Sequence, residues 1–331
     1  MKILAIVHLY PPNHCAGAEM MLHEILLGMI ARGHEVHVIC NDNPVDNYEG
    51  VPITVMDRHS NALWRINWAD VVITHLDQTT LVTRAVGRRK PIVHLIHNDK
   101  QLKFHRVEGR YAQLVVANSE WIKDAIDWQD SPVVVCPPPV KPERYRTTRG
   151  EHITLLNMSE AKGGDIFWQL AKRMPEHKFM AVMGAYHEQI VPNTVPKNVT
   201  VVQHTPNVTE DVYARTRVLL CPSSYESWGR VGIEAAASGI PTIAHPTPGL
   251  LESLGDSGTF VDRDDIEGWV KAIKRFDQQS HYDEMSAKAL QRSAELDPEP
   301  YLDMLHKQLT ALHLDDVQRI TGARSFNLFE M

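Results

Sequence analysis

Glu226 and Glu234 stand eight positions apart, just beyond the apolar run Val218–Cys221. A carboxylate only accepts hydrogen bonds, so a pair of them suits a hydroxyl-rich ligand whose neighbouring O–H groups donate to each oxygen. Between them lie Ser227, Trp228, Gly229, Arg230 and Gly232. The two glycines let backbone come close to a ligand, and a helix starting here offers amide donors and a positive dipole end to a phosphate. Two isolated glutamates would equally suit an exposed acid and an acid complementing a helix dipole. His97 follows the short run Ile92-Val93-His94-Leu95 and is a second candidate, although a chain with 18 histidines can place one there by chance. Residues 84–110 hold eight basic side chains against two acidic ones. Lys103, Arg106 and Arg110 would share one face of a helix.

These residues need elements to hold them. The run Ile3–Val7 is followed by a Pro/Gly loop, an amphipathic stretch from Glu19 to Arg32 and a second β-rich run, Glu35–Cys40. A strand–helix–strand unit of this kind needs a crossover, which predicts a parallel sheet. Further β-rich runs start at Val71, Ile92, Leu114 and Val133. Three successive prolines, Pro137–Pro139, and Pro142 then interrupt the pattern as a semi-rigid spacer. The alternation restarts with predicted strands at Ile153–Leu156, Phe179–Met183, Val199–Val202, Val218–Cys221 and Thr242–Ala244, and it ends in successive helices from Ile266. The expected fold is α/β: two doubly wound Rossmann-like domains facing a cleft, with a helical C-terminus. Residues 1–140 form the first domain, 141–312 the second and 313–331 a tail. Ligands of such sheets sit beyond the carboxyl ends of the strands, where the Glu226 loop falls.

Composition narrows the class. With 43% hydrophobic and 23% charged residues in 331, the chain has the make-up of a globular enzyme. No apolar run is long enough to span a bilayer, and Ile3–Val7 is too short for a signal peptide. Cys15, Cys40, Cys136 and Cys221 lie far apart, which argues against a zinc knuckle or disulfide framework and fits a reducing, cytoplasmic setting. No Asp/His cluster suggests a metal. The net charge of −7 disfavours a general nucleic-acid binder, yet it is unevenly spread: residues 1–150 carry +1 and the remainder −8.

The segment Glu226-Ser227-Trp228-Gly229 followed by Glu234-Ala235 resembles the Glu-x7-Glu signature of the retaining glycosyltransferases of family four, which have the two-Rossmann GT-B architecture. Ala16-Gly17-Ala18-Glu19 resembles that family's N-terminal loop, and Ser159-Glu160-Ala161-Lys162-Gly163 its Lys-Gly loop. Pro248-Gly249-Leu250-Leu251-Glu252 and Gly258–Val261 continue the match in order. The resemblance implies a nucleotide-sugar co-substrate, with no bound cofactor and no metal. Lys162 would pair with the donor diphosphate and Glu234 with the ribose hydroxyls. Glu226 would meet the donor sugar, and Ser227, Trp228, Gly229 and Gly163 would line the donor site. His97 would be the histidine of the catalytic centre, with Gly17, Ala18, Asp99, Lys103 and Arg106 on the acceptor side. One departure stands out. The family's Arg shortly before the Lys-Gly loop is missing here, and Arg230 is the expected substitute at the diphosphate.

The resulting expectation is a retaining sugar transfer to an acceptor hydroxyl. The basic segment favours an anionic acceptor: a sugar phosphate, a lipid headgroup or a modified DNA base, with Trp64, Trp68, Phe104 and Tyr111 as stacking surface. Two other readings are a catalytically degenerate sugar-nucleotide-binding protein and a nicotinamide oxidoreductase. The latter would need a GxGxxG after the first strand, where this chain has Ala16-Gly17-Ala18-Glu19.

Overall fold

The computed structural model describes residues 1–56, 62–76, 82, 84–87, 89–100, 111–128, 130–184 and 188–321. The chain divides into two compact units. One is Met1–Pro139 together with the chain from Pro298 onward, and the other is Val140–Asp297.

The first unit is built on strands β1 (Lys2–Ile6), β2 (Glu35–Cys40), β3 (Asn47–Tyr48), β4 (Val51–Val55), β5 (Val71–His75), β6 (Ile92–Ile96), β7 (Leu114–Ala117) and β8 (Val133–Val135). Their order is β3-β4-β2-β1-β5-β6-β7-β8. Every pair is parallel except the β3–β4 hairpin. Covered on both faces, the central strands are apolar without polar alternation. Ile3 and Ala5 pack against Leu22 and Ile25 of the helix Gly17–Ala31 on one side, while Leu4 and Ile6 meet Ile66 and Ile122 on the other. From β1 the chain winds outward to β4, then returns to lay β5 on the other edge of β1. The order therefore reverses between β1 and β5.

The second unit repeats this logic with β9 (His152–Leu156), β10 (Phe179–Val182), β11 (Val199–Val202), β12 (Thr216–Cys221), β13 (Thr242–Ala244) and β14 (Gly258–Phe260). The order is β11-β10-β9-β12-β13-β14, all parallel, and it reverses between β9 and β12. Phe167 and Trp269 fill one face of this sheet, and Ile233 and Leu250 the other. Both sheets are Rossmann-like and doubly wound, and helices Ile266–Arg275, Gln279–Glu295 and Glu299–Thr321 close the described chain.

Two features differ from the expected plan. The hairpin β3–β4 was not foreseen, because its two-residue turn, Glu49-Gly50, lacks the Asn-Gly or Asp-Gly signature that marks such turns, although both residues have positive φ. The expected second domain also ran to residue 312, whereas the chain rejoins the first unit at Pro298. The cause is packing: Leu302, Leu305 and Leu309 are buried in the core of the first sheet, and Arg32 binds Glu299 and Asp303.

Candidate functional site

In the second unit the site gathers at the strand-order reversal. Lys162 stands in the turn Glu160–Lys162 that follows β9, and Glu226 in the loop that follows β12. The two strands are neighbours, so the side chains meet, and Lys162 Nζ donates to Glu226 Oε1. Ser223 Oγ donates to the same oxygen at 2.9 Å. An open parallel sheet binds its ligands beyond the carboxyl ends of the strands where the winding reverses. An ammonium and a carboxylate there offer one group for phosphate and one for hydroxyls.

Gly163, next to Lys162, has φ +88, and a Cβ on it would lie 2.5 Å from Pro222 Cγ. It joins the Lys162 turn directly to the helix Gly164–Arg173. Arg263 fastens this turn further: its guanidinium donates to the carbonyls of Ala161, Glu160 and Pro222. Gly229 has φ +82 and caps the helix Arg230–Ala236, and a Cβ there would strike Leu250 at 2.4 Å. Conformation and packing both call for glycine at that position. Trp228 is buried, and its indole Nε1 has no hydrogen-bond partner among the described residues.

Glu234 is held at both oxygens. Arg230 Nε donates to Oε1 at 2.6 Å, one helical turn away, and Tyr213 O–H donates to Oε2 at 2.6 Å. Burial and the Glu234 charge push the Tyr213 phenol well above its ordinary range, so it stays a donor. Arg230 Nη2 also donates to Tyr145 O–H at 2.8 Å. The guanidinium expected at a diphosphate is thus buried and bound to Glu234 and Tyr145. Sequence reasoning had no signal for Tyr145, Tyr213, Ser223 or Arg263, which reach the site only through the fold.

In the first unit Gly17 and Ala18 open the helix Gly17–Ala31, and a Cβ on Gly17 would meet nothing within 4 Å among the described residues. His97 comes one residue after β6 and is 8% exposed. Its Nε2 lies 2.9 Å from Nδ1 of His75, the last residue of β5. Its backbone carbonyl accepts from Asn118 Nδ2 at 3.2 Å. Asp99 is half-buried, two residues further on. Lys103 and Arg106, with Phe104 and Arg110, lie outside the described residues. Trp64 is exposed and stacks with Arg65, whose guanidinium sits 4.7 Å from the ring centre. The Cys136 and Cys221 thiols are fully buried and pushed up to about 12, which leaves them unreactive as nucleophiles at neutral pH. Among the described residues no group of three or more His, Cys, Asp or Glu could hold a metal, and no helix is long and apolar enough to cross a membrane.

Comparison with known proteins matches each unit to a glycosyltransferase model. Residues 16–144 match "Glycosyltransferase Family 4" and residues 153–278 match "Glycosyl transferases group 1". The chain is similar to O-antigen chain mannosyltransferase B of Escherichia coli, 24% identical over 36% of this chain and 27% of that protein. It is also similar to D-inositol 3-phosphate glycosyltransferase of Nocardioides sp., 33% identical over 28% of this chain and 22% of that protein. The alignments span only about a quarter of each of these curated relatives. In fold, sucrose-phosphate synthase from Thermosynechococcus elongatus superposes with a TM-score of 0.75 at 15% identity, covering 95% of this chain and 100% of that one. Anabaena HepE in complex with UDP does so with a TM-score of 0.75 at 14% identity, covering 98% and 100%. The chain therefore consists of two glycosyltransferase-family domains on a GT-B-like fold.

Proposed function

We propose that this chain is a retaining glycosyltransferase of family four, moving a hexose or pentose from a nucleotide sugar to an acceptor hydroxyl without a metal. The observation that carries the reading is the pairing of Lys162 with Glu226 at the reversal point of the second sheet, in a unit that also holds Glu234 at both oxygens. Lys162 leaves Glu226 for the donor diphosphate, and Glu226 is then released to the hydroxyls of the sugar. Each Glu234 oxygen keeps a lone pair for the ribose hydroxyls, since a carboxylate accepts about four hydrogen bonds. HepE has been solved with UDP and with UDP-glucose, which makes a uridine diphosphate donor the first to try. Positioning and electrostatic stabilisation of the leaving diphosphate supply the rate, and no side-chain nucleophile is assigned.

The acceptor is anionic in this reading. The support is the basic segment 84–110, and one relative is named for D-inositol 3-phosphate, a phosphate ester. The working compartment is the cytoplasm. The test is a thermal-shift panel of nucleotide sugars, followed by turnover with the stabilising donor and NMR of the product anomer. A ligand present at 100 times its Kd adds about 2.7 kcal/mol to apparent stability. Protection by one donor and retention at the anomeric carbon are expected. Protection without transfer or hydrolysis would favour the degenerate binding protein, and no protection by any nucleotide would overturn the reading. For the acceptor, reversing the charge of Lys103 and Arg106 should raise acceptor KM and leave donor binding unchanged. Added salt should act in the same direction, since exposed charges are screened beyond about 8–10 Å. An acceptor KM indifferent to both points to a neutral acceptor.

A further inference from the structure

We infer that His75 is a positioning residue that holds His97 as its Nδ1–H tautomer, by donating its own Nδ1–H to His97 Nε2. The inference rests on the proposed place of His97 at the reacting centre. The geometry is local to one sheet. β5 and β6 are neighbours, and His75 pairs with Leu95 in register. His97 lies two residues beyond Leu95, one position past the end of β6, and its ring reaches that of His75. The rings meet edge to face, with centroids 5.0 Å apart and planes at 73°. β5 also forms one side of the strand-order reversal in this sheet, where ligands of such folds bind.

The direction of the bond follows from what each choice leaves unsatisfied. His75 is fully buried, and its Nε2 has no hydrogen-bond partner among the described residues. If His97 donated from Nε2, a neutral His75 would carry its proton on Nε2, leaving a buried N–H without an acceptor. If His75 donates from Nδ1, only a lone pair is left there. Orphaned buried donors are the rarer of the two. A doubly protonated His75 is disfavoured, because burial and the neighbouring imidazoles of His97, His8 and His94 all oppose a charge.

His97 is thus fixed from both flanking strands. His75 holds the ring from β5, and Asn118, one residue after β7, holds the backbone carbonyl. With Nε2 engaged, Nδ1–H is the one donor of the ring. With Nε2 taken up by His75, His97 does not act as a base through that nitrogen.

The test uses the full chain labelled with 15N-histidine. Long-range proton–nitrogen correlation at pH 7.5, with His97 assigned by loss of its signals in His97→Asn, reads the tautomer directly. A protonated Nδ1 and a bare Nε2 on His97 are expected, and a proton on Nε2 would overturn the inference. This reading needs no turnover, so it stands or falls separately from the proposed activity. In the kinetic arm, His75→Phe should lower kcat on the order of ten- to a hundredfold with donor KM unchanged. His75→Gln, which retains an N–H donor, should recover part of that loss. Wild-type kcat in His75→Phe overturns the positioning role. If His75→Phe does not fold, the tautomer of the wild type decides alone. Absence of turnover in the wild type would count against the glycosyltransferase reading and leave the tautomer measurement intact.

Discussion

Arg230 and Glu234 form a buried pair in which each partner removes the cost of burying the other. Arg230→Leu would leave the Glu234 carboxylate with Tyr213 alone, and losing half of such a pair destabilises by about 3–5 kcal/mol. If Arg230 acts by orienting Glu234, affinity should fall alike for the nucleoside and the nucleoside diphosphate, as calorimetry on both would show. Loss confined to the diphosphate would return Arg230 to the phosphate role that the missing upstream Arg suggested. At Lys162 the expectation is simpler. Lys162→Ala removes a charge-assisted bond of about 1.5–3 kcal/mol, so kcat/KM should fall roughly 10- to 150-fold. Unchanged kinetics would remove Lys162 from the site. Glu226, Glu234 and Lys162 were named from the sequence through the resemblance of their two loops to the family's, because the spacing of the acids alone equally suits a solvated acid and one complementing a helix dipole. Tyr213, Tyr145 and Ser223 were not, since nothing local tells a tyrosine 21 residues before Glu234 that it will face that carboxylate.

At the scale of elements, the turn after β9 depends on Gly163. Its φ of +88 and the contact with Pro222 both exclude a side chain. Gly163→Ala should destabilise the second unit by about 1–3 kcal/mol through strain, and it should raise donor KM because Lys162 precedes it directly. Denaturation midpoints alongside donor titration check this, and equal values for both proteins would show that the turn adapts freely. Strand positions were read well here because buried parallel strands are short apolar runs, and those runs matched β5 to β8 and β9 to β13 closely. The hairpin β3–β4 escaped, since Asn47–Tyr48 is too short to mark a strand and Pro52 interrupts Val51–Val55. Where the last helix packs was equally hidden. Its leucines announce an apolar face, but no local feature says which of two sheets will receive it.

For the whole molecule, histidines kept neutral by the fold set the response to acid. Burial lowers His37 to about 4, with Arg65 adding to the effect, and burial with His306 and Arg32 lowers His34 to about 4. Unfolded, both titrate near 6.5. Between those values the unfolded chain binds more protons than the folded one, so this part of the stability is complete above about 6.5 and is lost as pH falls towards 4. Tm should therefore drop between pH 7.5 and pH 5, and drop less in His37→Gln. A Tm that holds steady down to pH 5 would contradict the burial of these rings.

The return of the chain to the first unit at Pro298 means that the second unit is an insertion, entered after Pro139 and left after Asp297. Cutting the chain at residue 139 would not liberate a folded first unit, because the slot for Leu302, Leu305 and Leu309 would stand empty. Each such leucine is worth about 2–5 kcal/mol. The same geometry makes the helix Glu299–Thr321 a detachable plug. A chain stopped at Asp297 should be poorly stable alone and regain a cooperative melt when a synthetic peptide of residues 298–321 is supplied in trans. A peptide with all three leucines changed to alanine should fail to rescue it.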